Sequence, residues 1–342
     1  MSMTKRERVR AAVAHKKTDF IPYQIEFSPK ARQRMAEYLN DANFEQKWDA
    51  QHIRLCMYEG MARPVPKRPG FFRDDYGVVW DRTGEDKILG TMEKLCIPDM
   101  QAVSYSFPSF NKARMAKVYD EFFRTLGDHY PIAGIGLAVY ERAWTLAGIK
   151  PLLHAMSAYP QQTERLFQSI CQNALEIIDF ALTYDFDGFF VGDDWTCPTG
   201  LEMGGDHWRR YIKPVLREIY ARVHTHGKKV FQHSCGDISE ILPDLVEIGL
   251  DCYQTLQPEC YDLAAVKQRY GNSLAFWGGI STKQYLRTET PAQAREEARQ
   301  AMTILGADGG YIAAPSHVLT EEISPENILE VLAAFKEQQQ HF

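Results

Sequence analysis

The 342-residue chain lacks a long apolar run, a cluster of basic residues and the cysteine pattern of a disulfide-rich protein. Its longest strongly apolar stretch, residues 131–140, is about half of the ~20 residues that a membrane-spanning helix needs. Its 39 basic and 45 acidic side chains give a net charge of −6, which disfavours charge-driven binding to nucleic acid or to a membrane. The seven cysteines are odd in number and scattered, which is typical of a reducing compartment. We therefore expect a cytoplasmic protein without nucleic-acid or membrane partners.

The sequence also lacks a Gly/Ser-rich or Pro-rich linker, an internal repeat and the glycine-rich loops of nucleotide-binding folds. What recurs from residue 126 onward is a short apolar run followed by a longer amphipathic segment. This alternation is typical of parallel βαβ units. Roughly eight such units in one undivided chain predict an α/β fold, a single (β/α)8 TIM barrel. The barrel domain would span residues 1–342, with an irregular N-terminal elaboration over about 1–125 and regular units over 126–342.

Local signals predict several individual elements. Thr4 and Glu7 form a capping-box pattern that opens a first helix. Residues 21–27 are a plausible first strand, and residues 75–80 a strand within the irregular part. Ser324 is the expected N-cap of the last helix. The remaining predicted strands are 131–139, 188–192, 228–232, 252–256, 274–277 and 311–314.

A histidine and a cysteine follow one of these strands directly. His233 and Cys235 are two residues apart, so in an extended segment their side chains point the same way. An imidazole and a thiolate on one ion favour zinc over magnesium or calcium. In a barrel, the end of a strand is also where active-site residues lie. The pattern predicts a zinc site, although a packed histidine beside an incidental cysteine would show the same spacing.

His317 follows the last strand and would lie on the same rim as His233 and Cys235. Three protein ligands leave zinc a fourth position for water or substrate, as in catalytic sites. We therefore predict a metal site of His233, Cys235 and His317. The alternative is a loop histidine that is hydrogen-bonded to the backbone.

Three carboxylates are candidate catalytic residues. Asp193 and Asp194 follow the strand at 188–192, and Glu26 stands near the end of the first strand. Such groups can transfer protons, orient a metal-bound histidine or hold a cationic part of a substrate. They can equally cap a loop by accepting backbone N–H groups.

With these residues identified, the chain resembles the uroporphyrinogen decarboxylase superfamily, which also contains the cobalamin-dependent methyltransferases for methanol, methylamine and coenzyme M. The likeness extends over nearly the whole length. It is carried by the segments at 6–9, 19–22, 75–78, 143–153, 192–195, 213–214, 233–236, 277–280 and 314–317.

Two positions separate the branches of this superfamily. Decarboxylases carry an Arg-rich loop after the first strand that binds the substrate's carboxylates, whereas this chain has Glu26 there, and Arg32 and Arg34 follow in a predicted helix. The methyltransferase branch carries His-x-Cys after a strand and a cysteine after the last strand as zinc ligands. His233 and Cys235 match that pattern, and His317 stands in the third place. The chain therefore resembles the zinc- and cobalamin-dependent methyltransferases more closely than the true decarboxylases.

The resemblance implies methyl transfer between a corrinoid and a thiol or a small methylated substrate. Zinc would be the metal, and the corrinoid a co-substrate carried on a partner protein. Two alternatives stay open: a carbon–carbon lyase acting on a carboxylated substrate, and a non-catalytic corrinoid- or tetrapyrrole-binding protein. The barrel family also makes a homodimer a reasonable expectation.

Overall fold

The computed structural model of the chain describes residues 2–58, 60, 62–84, 90–283, 285–288 and 290–341. Its strands, in chain order, are β1 (Ile53–Tyr58), β2 (Arg63–Pro64), β3 (Phe71–Arg73), β4 (Val79–Asp81), β5 (Thr91–Lys94), β6 (Tyr130–Ile135), β7 (Gly188–Gly192), β8 (Thr196–Cys197), β9 (Gly200–Leu201), β10 (Lys229–His233), β11 (Cys252–Leu256), β12 (Ala275–Ile280) and β13 (Tyr311–Pro315).

The α-helices surround these strands. They are α1 (Lys5–Val13), α2 (Pro29–Leu39), α3 (Phe44–Trp48), α4 (Lys112–Arg124), α5 (Tyr140–Ala147), α6 (Ile149–Ala158), α7 (Pro160–Ala181), α8 (Gly205–His207), α9 (Lys213–Thr225), α10 (Leu242–Glu247), α11 (Leu263–Tyr270), α12 (Tyr285–Thr288), α13 (Pro291–Gly306) and α14 (Pro325–Glu337), with a π-helical turn at Trp208–Ile212. In the described part of the chain, no helix is both long and apolar enough to cross a membrane.

Seven strands form one curled parallel sheet in the order β1-β6-β7-β10-β11-β12-β13. Each pair of neighbours is parallel, and most pairs are joined through at least one helix, as parallel strands require. The prediction of a TIM-barrel-like α/β fold is therefore confirmed. One face of α7, which includes Leu166, Ile170, Ala174, Ile177 and Ala181, is buried against the sheet side of the core.

The eighth strand position is taken by residues 22–27, which form isolated bridges instead of a continuous strand. Gln24 donates its backbone N–H to Ala313 at 2.9 Å, on the β13 side. On the β1 side its side-chain oxygen accepts the backbone N–H groups of His52 and Ile53 at 3.0 and 3.1 Å. Gln24 is buried, and its amide thus replaces the backbone ladder that a regular strand would supply.

The N-terminal part also differs from the prediction at β1, where no strand was predicted, and at residues 75–80. Residues 74–77 form a turn, and the strand begins only at Val79, in an antiparallel sheet of β2, β3, β4 and β5. Asp74 fixes the turn, since its carboxylate accepts the backbone N–H of Val78 at 2.9 Å and the indole N–H of Trp80 at 3.0 Å. The capping box predicted at the start of α1 is present, and so is the predicted N-cap of α14 at Ser324.

Large side chains fill the lower barrel interior. Phe190, Phe231 and Trp277 belong to one buried cluster with apolar residues of β1, β6 and β13. Because this cluster fills the barrel below the strand ends, the remaining space lies at the carboxyl ends of the strands. This is the end at which barrel enzymes hold their active sites.

Candidate metal centre and cavity

A cavity of about 380 Å³ opens at the carboxyl ends of the barrel strands. Glu26, Asp194, His233 and His317, all named from the sequence as candidate site residues, line it. The other lining residues are Gln24, Leu55, Met57, Gly136, Leu137, Glu141, Phe190, Gly192, Gln254, Trp277, Ala314, Pro315 and Val318. The position of the cavity agrees with the barrel rule on which the sequence argument relied.

His233 is the last residue of β10 and is held from both sides. Its ring lies 6.1 Å from the ring of Phe190 and is nearly parallel to it. Its Nδ1 is in short hydrogen-bonding contact with the side-chain oxygen of Gln254 on β11. An amide oxygen can only accept, so Nδ1 donates this hydrogen bond, and in the neutral ring Nε2 keeps its lone pair. That lone pair faces Cys235, whose Sγ lies 3.6 Å away.

Cys235 lies in the turn that follows β10. Its carbonyl accepts the Thr196 hydroxyl at 2.9 Å, and the next residue, Gly236, donates its N–H to Gln257 at 2.6 Å. Gly236 has a φ of +76°, and a Cβ there would come 2.0 Å from Thr196 Oγ1, so the turn requires glycine. Burial raises the pKa of the Cys235 thiol to about 12, and the negative charge of the nearby Asp194 carboxylate is the second cause of this increase. A divalent cation beside the sulfur would have the opposite effect and favour the thiolate.

The adjacent aspartates occupy different environments. Asp194 Oδ1 lies 3.4 Å from Nε2 of His233 and accepts the backbone N–H of Cys235 at 2.7 Å. Asp194, His233 and Cys235 form a group whose ligand atoms all lie within 4.8 Å of one another. Asp193 is fully buried, outside the residues that line the cavity.

Asp193 anchors the start of α5. Its carboxylate accepts the backbone N–H groups of Val139, Tyr140 and Glu141 at 3.1, 2.9 and 2.8 Å. It also accepts the indole N–H of Trp195 at 2.6 Å. Burial raises the pKa of Asp193, whereas these four hydrogen bonds lower it. The geometry therefore assigns Asp193 to loop and helix anchoring, the alternative that the sequence left open.

His317 lies in the loop after β13, on the rim of the cavity. Its ring nitrogens are not part of the group formed by Asp194, His233 and Cys235. Desolvation of the ring and the nearby His233 lower the pKa of His317, which favours the neutral imidazole that can bind a metal. The structure thus places His317 near the group, while Asp194 stands where the sequence predicted His317 as the third ligand.

Two further carboxyl groups face the cavity. Glu26 accepts one hydrogen bond from Nε2 of Gln24 at 3.0 Å, and burial raises its pKa. Glu141, the second residue of α5, also lines the cavity. Burial and the charges of Asp193 and Asp194 raise the pKa of Glu141 to about 9. Sequence reasoning missed Glu141, because the predicted strand ended at residue 139 and no helix was predicted directly after it, so the strand-to-helix junction at α5 was not recognised.

The donor set fits zinc. Nitrogen of histidine, sulfur of cysteine and oxygen of aspartate are the three ligand types that zinc accepts. A hydrogen bond from the non-coordinating nitrogen to a fixed acceptor is also usual for a zinc-bound histidine, and Gln254 supplies it. The residues present are therefore suited to hold a zinc ion, which would supply Lewis-acid chemistry at the cavity.

Comparisons with known proteins agree with this fold. The uroporphyrinogen decarboxylase family profile matches residues 102–338, more than half of the chain, and the protein belongs to that family. A methyltransferase from Methanosarcina mazei has a similar structure, with a TM-score of 0.71 at 14% identity, covering 98% of this chain and 99% of the other. No curated protein matches at a significant level.

Two further similar structures have much lower TM-scores. A D-psicose 3-epimerase in the presence of D-fructose has a TM-score of 0.36 at 12% identity, covering 68% of this chain and 83% of the other. A xylose isomerase-like TIM barrel protein from Mycobacterium smegmatis in complex with magnesium has a TM-score of 0.34 at 13% identity, covering 68% and 80%. These scores are too low to bear on function.

Proposed function

We propose that the protein is a zinc-dependent methyltransferase that acts with a corrinoid. The observation that carries the proposal is the convergence of His233, Cys235 and Asp194 at the mouth of the barrel, within 4.8 Å of one another. The methyltransferase from Methanosarcina mazei, similar over 98% of this chain, supports the fold on which the proposal depends.

His233, Cys235 and Asp194 would hold the zinc, and His317, which lines the same cavity, is the candidate for a further ligand. Gln254 holds His233 with Nε2 free to bind. When bound, zinc would act as a Lewis acid that activates a thiol or polarises the leaving atom of a methylated substrate.

The lyase alternative is less well supported by the charges around the cavity. A carboxylated substrate requires cationic side chains to bind its carboxylates. Arg32 is paired with Glu45 on the surface, and Arg34 donates to the backbone oxygens of Glu321 and Ile323. Neither arginine is among the residues that line the cavity.

The proposal also includes where and with what the protein acts. We propose that the corrinoid is presented by a partner protein, that the other substrate is a small molecule, and that the protein is cytoplasmic and dimeric. The 380 Å³ cavity is of a size for a small substrate rather than for a whole corrinoid. Co-purification with a corrinoid protein and sedimentation analysis test these points.

The test of the function is metal content combined with a demethylation assay on a methylated corrinoid with several thiols and folates. We expect near-stoichiometric zinc and methyl transfer in the wild-type protein, and the loss of both in His233→Ala and Cys235→Ser. Cys197→Ser is the matched control, because Cys197 is outside the metal group and hydrogen-bonds within its own hairpin, to Thr199 and Gly200. A fully active metal-free protein would contradict the proposal.

A further inference from the structure

Glu26 lies on the position of the barrel that is opposite to the candidate metal group. Residues 22–27 stand between β13 and β1, and Leu319 donates its backbone N–H to the carbonyl of Glu26 at 2.8 Å. From this segment, β10 is reached through β1, β6 and β7 in one direction and through β13, β12 and β11 in the other. His233 ends β10, and both His233 and Glu26 line the cavity. A molecule that fills the cavity therefore lies between the metal group and Glu26.

The side chain of Glu26 is held by one oxygen and leaves the other available. Its Oε1 accepts a hydrogen bond from Nε2 of Gln24 at 3.0 Å. The orientation of that amide is fixed, because its own oxygen accepts the backbone N–H groups of His52 and Ile53. The second oxygen of Glu26 accepts no hydrogen bond in the described part of the chain. This oxygen is therefore available to a ligand in the cavity.

Among the described residues, no cation forms an ion pair with Glu26. Lys30 and Arg32 are the nearest basic residues along the chain, and each pairs with another carboxylate, Glu321 and Glu45 respectively. No lysine or arginine is among the described residues that line the cavity. A carboxylate removed from water costs free energy unless a counter-charge meets it, and burial accordingly raises the pKa of Glu26. A ligand that brings a positive charge to the second oxygen would remove this cost.

The other two carboxyl groups that line the cavity belong to the metal side. Asp194 is a member of the metal group. The charge of Asp194 raises the pKa of Glu141, and the charge of Glu141 in turn raises the pKa of Cys235. Among the described lining residues, Glu26 is thus the carboxyl group that faces the metal group from across the barrel.

From this juxtaposition we infer that Glu26 determines which acceptor the protein uses, by binding an amino group at the far end of a thiol whose sulfur lies at the metal group. The inference rests on the proposed function, which supplies the thiol and the metal. A charge-assisted hydrogen bond from the ammonium to the second oxygen of Glu26 would hold the far end of the acceptor. The same carboxylate would repel a sulfonate or carboxylate at that end, so anionic thiols should be rejected.

Isothermal titration calorimetry of the zinc-loaded protein tests this inference with thiols of matched length. The two-carbon set is cysteamine, 2-mercaptoethanol and 2-mercaptoethanesulfonate, and a three-carbon set carries the same end groups. In the set that binds more tightly, we expect the aminothiol to bind at least tenfold more tightly than the hydroxythiol, and the sulfonate to bind more weakly than either. Equal affinity of the aminothiol and the hydroxythiol, a preference for the sulfonate, or no binding of any thiol would each overturn the inference.

Substitution of Glu26 separates the role of its carboxylate from differences among the thiols. An amino group also acidifies a thiol and can chelate zinc, and neither effect depends on Glu26. Glu26→Gln keeps the size of the side chain and removes its charge, so the preference for the aminothiol over the hydroxythiol should fall at least fivefold. Glu26→Asp keeps the charge and should retain more of the preference. An unchanged preference in Glu26→Gln, or an equal loss in Glu26→Asp, would contradict the inference.

Two controls accompany these variants. Retained binding of the hydroxythiol reports that each variant is folded. Glu37→Gln removes a carboxylate elsewhere, since Glu37 is an exposed residue of α2 that is bonded to Gln33. It should keep the preference of the wild type.

Binding and methyl transfer are measured separately, which distinguishes this inference from the proposed function. Aminothiol selectivity that depends on Glu26, without methyl transfer from a methylated corrinoid, would support the binding site and contradict the methyltransferase. Methyl transfer to thiols without that selectivity would do the reverse.

Discussion

Asp193 and Asp194 are adjacent in the sequence but have different roles in the structure. Asp193 accepts three backbone N–H groups and an indole N–H inside the protein, whereas Asp194 faces His233 and Cys235. The sequence places both after β7 but contains no signal that separates them. The two roles differ because successive side chains at the end of a strand point in opposite directions.

The pair gives a matched test of those roles. Asp193→Asn keeps one acceptor oxygen and leaves backbone N–H groups of α5 without a full partner, which should cost about 3 kcal/mol of unfolding free energy. Asp194→Asn should leave the unfolding free energy nearly unchanged and weaken zinc binding. Urea denaturation and zinc titration of both variants check this. Equal effects of the two substitutions on stability would show that the assignment is wrong.

Gln254 is a positioning residue for His233. Gln254→Leu removes the acceptor for Nδ1–H, so the ring loses its fixed tautomer and orientation. Zinc affinity should fall by about 10- to 100-fold. Gln254→Glu retains an acceptor oxygen and should restore most of the affinity. Competition with a chromophoric chelator measures both values, and an unchanged affinity in Gln254→Leu would exclude this role.

At the scale of elements, the barrel is completed by a side chain instead of a strand. The apolar run at 21–27 predicts a strand, and the segment does occupy the eighth position between β13 and β1. It forms isolated bridges because Gln24 turns its amide, in place of its backbone, toward His52 and Ile53. An alternation of apolar and polar residues identifies an extended segment. It does not show that a side-chain amide will take the place of backbone hydrogen bonds there.

This closure predicts a large effect of one buried glutamine. Gln24→Leu fills a similar volume but leaves the N–H groups of His52 and Ile53 without acceptors. We expect a loss of about 2–4 kcal/mol of unfolding free energy. Gln33→Leu, at an exposed glutamine of α2, should change stability by less than about 0.5 kcal/mol. Urea unfolding of the two variants gives the comparison, and a stable Gln24→Leu protein would refute the closure argument.

At the scale of the whole molecule, the repeating part of the fold was predictable and the irregular part was not. The alternation after residue 126 predicts β7 and β11 with their observed bounds, and β6, β10, β12 and β13 to within a few residues, whereas no strand was predicted at β1. The antiparallel sheet of β2–β5 was not predicted, since its strands are two to four residues long and too short to show a period. Asp74 fixes the turn before β4 through side-chain hydrogen bonds, which a periodic pattern of apolar residues does not predict.

The same contrast applies to the candidate site. His233 and Cys235 could be predicted to converge because their spacing and their strand fix their directions. Glu141 could not, because it reaches the cavity from the start of α5, where Asp193 holds the backbone. Asp194, the third member of the candidate metal group, lies beside His233 and Cys235 because β7 and β10 are neighbouring strands. The pairing of these two strands is set by the whole sheet and not by either segment alone.

The central claim is that His233, Cys235 and Asp194 together bind zinc, and X-ray absorption at the zinc edge tests it most directly. We predict a shell with one sulfur at about 2.3 Å and nitrogen or oxygen ligands at about 2.0–2.1 Å. The sulfur should vanish in Cys235→Ser and remain in Cys197→Ser. A wild-type zinc shell without sulfur, or a sulfur contribution that persists in Cys235→Ser, would contradict the account.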